Sequence, residues 1–306
     1  MFDILVAGEI NPDLILSGNV IPEFDQVEKM VDSARLTVGS SSAIFACGAV
    51  RLGLNVGFIG NCGDDVFGRF MLDKMQTRRV DISNVIIHPN RQTGLSVILN
   101  RENDRAILTF PGLIASLKAE AVSDHLLHQT RHLHIASYFL QTALHPGLPD
   151  LFRRAKLAGV TTSLDTNWDP TGEWHGLEEL LQLTDVFLPN ENEAIAISGA
   201  TSLENALKVL SQKCKAVAIK CGSRGALAGQ GNKTSFAPAL SVQIVDTVGA
   251  GDSFDAGFVY GWLNDWVLDE ALMLATACGS LSTQAAGGTS AQPTLDEAMR
   301  YVTSTG

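Results

Sequence analysis

Along the chain, short apolar runs stop at glycine or polar residues, and stretches with helical spacing follow them. The clearest runs are FDILVAGEIN, HLHIASYF, VTTSLDTN, DVFLPNENE and AVAIKCGSRG. Helical stretches between them include SAIFACGAVRLG, VFGRFMLDKMQTR, LPDLFRRAKLAG, EAIAISG and SLENALKVLSQK. This alternation predicts an α/β fold, a mostly parallel sheet with helices on both faces. In such sheets ligands bind beyond the carboxyl ends of the strands. Asn11, Asp13, Asp165, Asn167, Asn190, Glu193, Lys220 and Asp246 stand at those ends and are expected to converge on one edge.

Two segments, near 12–38 and 86–112, break the rhythm. They alternate like strands and show no crossover helix. They predict a small second sheet inserted into a single domain spanning 1–306, placed as a lid over the strand-end cleft. Its edge strands would be exposed, which predicts a homodimer. No internal repeat or low-complexity tract interrupts the chain.

Composition narrows the function. The 306 residues are 45% hydrophobic, enough for a large core. A net charge of −11 repels a nucleic-acid backbone, so nucleic acid is excluded as a partner, while a small anion at a local site remains open. Cys47, Cys62, Cys214, Cys221 and Cys278 form no C-x-x-C pair, and the odd number points to a reduced, cytoplasmic setting. The start, MFDILVAGEI, has no basic leader, and no apolar run is long enough to span a membrane.

Candidate chemistry concentrates in VQIVDTVGAGDSFDAGFVYGW, residues 242–262. An apolar run ends at Asp246, a loop of small residues follows, and a helical stretch begins near Asp252. Unsatisfied N–H groups at a helix start carry partial positive charge, and glycine lets an anion approach them. Residues 248–252 therefore suit an oxyanion cradle. The plainer reading is a tight turn with Asp252 or Ser253 as N-cap. The spacing matches neither a Walker P-loop nor a dinucleotide fingerprint.

DTVGAGDSF resembles the C-terminal signature of the ribokinase/PfkB carbohydrate kinase family. VGSSSAIFACGAVRLGLNVGFIGNCGDDVFGRF is similar to its N-terminal signature, PNENEA to its N-x-x-E motif, and IKCGSRGAL to its nucleotide-site strand and turn. The resemblance covers nearly the whole chain. It implies a ribokinase-like three-layer sandwich with a small β lid, and ATP-dependent phosphorylation of a sugar or nucleoside hydroxyl. Asp252 would take the proton of the attacking hydroxyl, and backbone donors of Gly249, Ala250 and Gly251 would stabilise the transferring phosphoryl.

The resemblance assigns further residues. Asn190 and Glu193 would organise Mg2+ through water, although the same pair reads equally as a helix capping box. Lys220, Gly222, Arg224 and Gly225 match the adenine-nucleotide turn. Lys220 stands where the family usually has a small hydroxyl residue; it would reach nucleotide phosphate or simply end a strand in solvent. Asp246 and Val248 match a monovalent-cation site, K+ for example, or a plain strand end. Asp13 matches the acid that grips sugar hydroxyls, and Gly39 and Ser40 match a di-glycine against the sugar. Ile44 replaces a polar asparagine. Asp169 stands where aldonate-binding members carry arginine, so a neutral sugar is expected. Arg105 is the remaining basic candidate near substrate. Elsewhere the plainer readings hold: His132 and His134 on an apolar strand, Phe254, Phe258 and Trp262 as core, and Asp64-Asp65 as loop and helix cap. A nucleoside kinase of the same fold and a kinase-like binding protein without turnover are the alternatives; a dinucleotide oxidoreductase lacks its fingerprint.

Overall fold

The computed structural model describes residues 1–101 and 104–302. Glu102 and Asn103, inside the expected lid span, and residues 303–306 lie outside the described residues. The main sheet has eight strands. In spatial order they are Lys233–Ala237, Ala226–Gln230, Ala216–Lys220, Val186–Phe187, Thr161–Leu164, Thr130–Ile135, Phe2–Ala7 and Val56–Ile59. Pairing is parallel from Ala216–Lys220 across to Val56–Ile59, and antiparallel through the two strands beyond it.

Helices cover both faces, which is why the strands read as continuous apolar runs. The period of two assigns each side chain to a face. Ile4, Val6, Ala216 and Ala218 enter one core, with the helices Ser41–Arg51, Ala250–Leu263 and Leu268–Ser282. Leu5, Ala7, Val217 and Ile219 enter the other, under Leu148–Leu157 and Leu203–Leu210. Phe254 and Phe258 are buried in the first core, with Trp262 packed against it. Asp65 caps the helix Val66–Thr77, accepting from Gly68 N at 2.8 Å. Among the described residues, no helix is long and apolar enough to cross a membrane.

The second sheet has four strands in the order Ser33–Val38, Pro12–Ser17, Leu95–Arg101, Asp104–Phe110. It is smaller than the spans read from alternation. Residues 18–32 form no strand, because Gly18, Pro22 and a run of acids break the pattern. Ile86–His88 pairs instead with Asn61–Gly63 in a separate two-stranded sheet, where Pro89 ends it. Ser96, Ile98, Arg105, Ile107 and Thr109 point to one face of the second sheet and line a cavity against the main sheet's carboxyl ends.

Candidate active site

That cavity encloses about 950 Å3. Asp13, Asn11, Arg105 and Trp168 line one end; Gly222, Gly225, Leu240 and Ile244 line the other; Glu193, Lys220 and Asp252 lie along it.

The loop before the helix Ala250–Leu263 is shaped by Gly249. Its φ is +73°, a conformation that side chains resist, and a Cβ there would lie 2.6 Å from Gly288 Cα. Gly251 is under no such pressure, since its Cβ would meet only Lys220, at 3.6 Å. Ala250 N–H donates to Thr247 O at 3.3 Å, while the N–H groups of Gly251 and Asp252 find no acceptor among the described residues. Gly249 N–H finds none either, so of the three donors expected from the motif Gly249 and Gly251 are open, Ala250 is not, and Asp252 adds one. Asp252 is buried on the first turn. Burial, and then the charge of Asp165, push its carboxyl up to about 8, against the pull of Lys220 and a hydrogen bond from Ser41.

Lys220 is not free to end its strand in solvent. Its Nζ donates to Asp165 Oδ2 at 2.9 Å and to both oxygens of Asp255 at 3.1 Å. Burial alone would depress the amine; Asp165 and Asp255 more than offset it, and Lys220 is held firmly charged. Burial raises Asp165 too, but Lys220 and a hydrogen bond from Asp255 win, so Asp165 stays ionised. Asp255, buried beside Asp165, keeps its proton well above the usual range. Asp252 and Asp255 are three apart and share a helix face.

At the other end, Asp13 is buried and pushed up to about 7 by desolvation, which the charge of Arg105 partly offsets. Gly39 seats it, because a Cβ at 39 would lie 2.2 Å from Asp13 Oδ1. Glu9, absent from the sequence-based set, is also buried. It accepts from Ser42 Oγ at 2.5 Å and from Ser137 Oγ at 3.0 Å, and burial raises its carboxyl. Asn167 Nδ2 donates to Ser41 Oγ at 2.7 Å and Ser137 Oγ at 2.9 Å. Ser40, Ser137 and Asn167 all have φ between +52° and +66°, so strained backbone gathers around this network.

Other expected residues land differently. Asn190 and Glu193 form a complete capping box: Asn190 N donates to Glu193 Oε2 at 2.8 Å, and Glu193 N to Asn190 Oδ1 at 3.0 Å. Both line the cavity, and burial with the nearby Asp165 charge raises Glu193 to about 7. Asp246 works as a staple, accepting from Val248 N at 3.0 Å and Gly287 N at 2.9 Å. Arg224 lies outside the cavity lining, exposed and paired with Glu191. Asp169 is the main correction. Its carboxylate accepts from Thr171 N at 2.8 Å and Trp174 N at 2.7 Å, closing its own loop, and it does not line the cavity. The expected charge contact with substrate disappears with it. His132 Nε2 and His134 Nδ1 both meet Ser163 Oγ at 2.7 Å, and burial pushes His132 down to about 3.

Two signals could have found the missed residues: Glu9 ends the first strand run, and Asp255 follows Asp252 at helical spacing.

A three-layer α/β body, a second sheet over its strand ends and an acid at a glycine-loop helix start define a ribokinase-like scaffold. A family model for "pfkB family carbohydrate kinase" matches residues 1–295. The chain belongs to that family and is a phosphotransferase of the carbohydrate-kinase class. An ATP-dependent ribose-1-phosphate kinase of Halopiger xanaduensis is 31% identical over 305 residues, covering 99% of this chain and 98% of that one. A 5-dehydro-2-deoxygluconokinase of Geobacillus thermodenitrificans is 30% identical over 285 residues, covering 87% and 84%. The solved structure of a putative Ribokinase II from E. coli with ATP and Mg2+ superposes with a TM-score of 0.88 at 24% identity, covering 99% and 100%, and shares the fold.

Lys220→Met should unfold with a stability loss of about 3–5 kcal/mol, because the buried Asp165 carboxylate loses its cation. Urea melts check this. The loss should shrink at acid pH, where Asp165 takes up a proton; a loss under about 1 kcal/mol at neutral pH would show the ion pair to be dispensable.

Proposed function

We propose that this chain is an ATP- and Mg2+-dependent kinase that phosphorylates a hydroxyl of a neutral sugar. The observation that carries the reading is the buried Asp252 carboxyl on the first turn of a helix where the N–H groups of Gly249, Gly251 and Asp252 are open, in the lining of one continuous cavity. The sugar lies between Asp13, Asn11 and Trp168, with its hydroxyls on the Asp13 carboxyl and the Asn11 amide and its apolar face on the indole. The nucleotide lies across Gly222 and Gly225. The second sheet acts as the lid that excludes water. Asp252 accepts the proton of the attacking hydroxyl, and the N–H groups of Gly251 and Asp252 stabilise charge on the transferring phosphoryl. The Asn190–Glu193 box fits a hydrated Mg2+, since each Glu193 oxygen keeps lone pairs beyond its capping bond; the ion would neutralise phosphate charge.

Arg105 is the basic side chain at the sugar end, and its charge already falls on Asp13. That favours a neutral sugar. The same arginine carries the second reading, an anionic sugar of the kind named for the two relatives. Rates on neutral pentoses and hexoses against ribose 1-phosphate and 5-dehydro-2-deoxygluconate decide between them. A tenfold higher kcat/KM for either anion would reverse the assignment.

Asp252→Asn should lose about 10²–10⁴-fold in kcat while keeping nucleotide binding. In the wild type, kcat/KM should climb with pH to a limb near 8, where free Asp252 ionises. The stability sign is opposite. Unfolded Asp252 ionises near 3.8 while the native carboxyl holds its proton to about 8, so stability falls as pH rises through that window. Thermal melts of the Asn variant should lack this part of the decline; near-wild-type kcat would refute the base.

A cation such as K+ on the Asp246 carboxylate and Val248 carbonyl would brace the anion loop, so exchanging K+ for choline should lower kcat. Leu108 and Phe110 leave an exposed apolar face on the second sheet's edge strand, and a second copy covers it. Light scattering should give a dimer at micromolar concentration that Leu108→Lys dissociates; a wild-type monomer contradicts this.

A further inference from the structure

A second crevice, of about 330 Å3, shares no lining residue with the large cavity. It opens between the edge strand Ser33–Val38, the last turns of the helix Val66–Thr77 and the loop 286–290. Arg35, Lys74 and Arg78 line it together with the hydroxyls of Thr37, Thr289 and Ser290, and no acid does. We propose that this crevice binds a small phosphorylated anion and that its occupant acts on the catalytic loop.

Charge is the first argument. The chain has 33 acids and 22 Lys and Arg, yet three cations, two from one helix end and one from the second sheet, line one recess. Lys74 lies 5.6 Å over the Phe70 ring and has as its ion-pair partner the exposed, neighbouring Asp73 at 3.7 Å; Arg78 donates to Lys74 O at 3.5 Å, and neither Arg35 nor Arg78 has an ion pair among the described residues. Basic residues at a helix end complement its dipole, which explains Lys74 and Arg78, one turn apart. It does not explain Arg35, which arrives from the second sheet and adds a third like charge. Unbalanced cations repel one another; a phosphate group relieves that with charge-assisted hydrogen bonds from the guanidinium forks. The three hydroxyls supply further donors. The volume is at the lower end for small-molecule sites and exceeds a bare phosphate, so a phosphorylated metabolite of a few carbons fits.

Contact with the catalytic loop is the second argument. Thr37, in the crevice wall, packs on Gly287: a Cβ at 287 would lie 2.6 Å from Thr37 Oγ1. Gly287 N–H donates to Asp246, and Gly288 lies against Gly249, whose φ shapes the anion loop. Thr37 also pairs with Asp13 across the second sheet. An occupant bridging Arg35 and Ser290 therefore ties together the segments that position Asp13 and Gly249.

The test is calorimetric titration of inorganic phosphate into protein whose active site is filled with Mg2+ and a non-hydrolysable ATP analogue. One saturable site should remain, and the triple variant Arg35→Gln, Lys74→Gln, Arg78→Gln should bind at least tenfold more weakly. These side chains are outside the catalytic cavity, so kcat without phosphate should be unchanged. The single variant Arg35→Gln, on an exposed strand, gives the same answer if the triple variant folds poorly. In turnover assays, phosphate should shift the wild-type KM for nucleotide at least threefold, chloride of equal ionic strength should not, and the variant should ignore both. No saturable site, equal affinity in the variants, or binding with no shift in KM each overturns the proposal. The binding arm does not depend on which sugar is phosphorylated.

Discussion

One ammonium group governs the charge state of the site. A parallel sheet collects the ends of its strands on one edge, and here those ends bring several carboxyls into a water-poor cleft. A buried carboxylate needs a cation or a proton. Lys220 supplies the cation to Asp165 and Asp255, so Asp165 alone stays ionised while Asp255 and Asp252 are pushed to keep their protons. Glu193 is raised for the same reason, by its own burial and by the charge on Asp165. The protonation of Asp252, the charge near the capping box and the stability of the strand ends all follow from where one amine sits.

Backbone constraint carries the rest of the geometry. Gly249 and Gly288 touch, Asp246 clamps the two loops that hold them, and Gly39 makes room for the Asp13 carboxyl. Ser40, Ser137 and Asn167 accept left-handed backbone around Glu9. Strain of this kind persists only when neighbours over-determine it, and here hydrogen bonds from each residue's own side chain help do so.

Much of this was legible in the chain. The alternation of runs marked the strands and their faces, since period two and burial on both sides are local properties. The glycine loop, Asp252 and the Asn190–Glu193 box could be read because their partners are within a few residues. What could not be read depends on side-chain direction or distant pairing. Asp169 lies in the expected loop but turns its carboxylate onto Thr171 and Trp174. Lys220 meets acids 55 and 35 residues away. Ile86–His88 alternates well enough for the second sheet, but its register falls to Asn61–Gly63.

The placement of the first strand has a consequence for synthesis. Phe2–Ala7 leaves the ribosome before both of its partners, yet it lies between Val56–Ile59 and Thr130–Ile135. Its buried face cannot close until Thr130–Ile135 has emerged, and the chain must wait with Ile4, Leu5 and Val6 uncovered. Non-local parallel pairing of this kind is slow and exposes apolar edges while it is incomplete. The strands from 216 to 237 are the reverse case: an antiparallel meander whose partners are made almost together. Nascent chains stalled near residue 100 are thus the ones left for chaperones to hold, well before the strands from 216 to 237 exist.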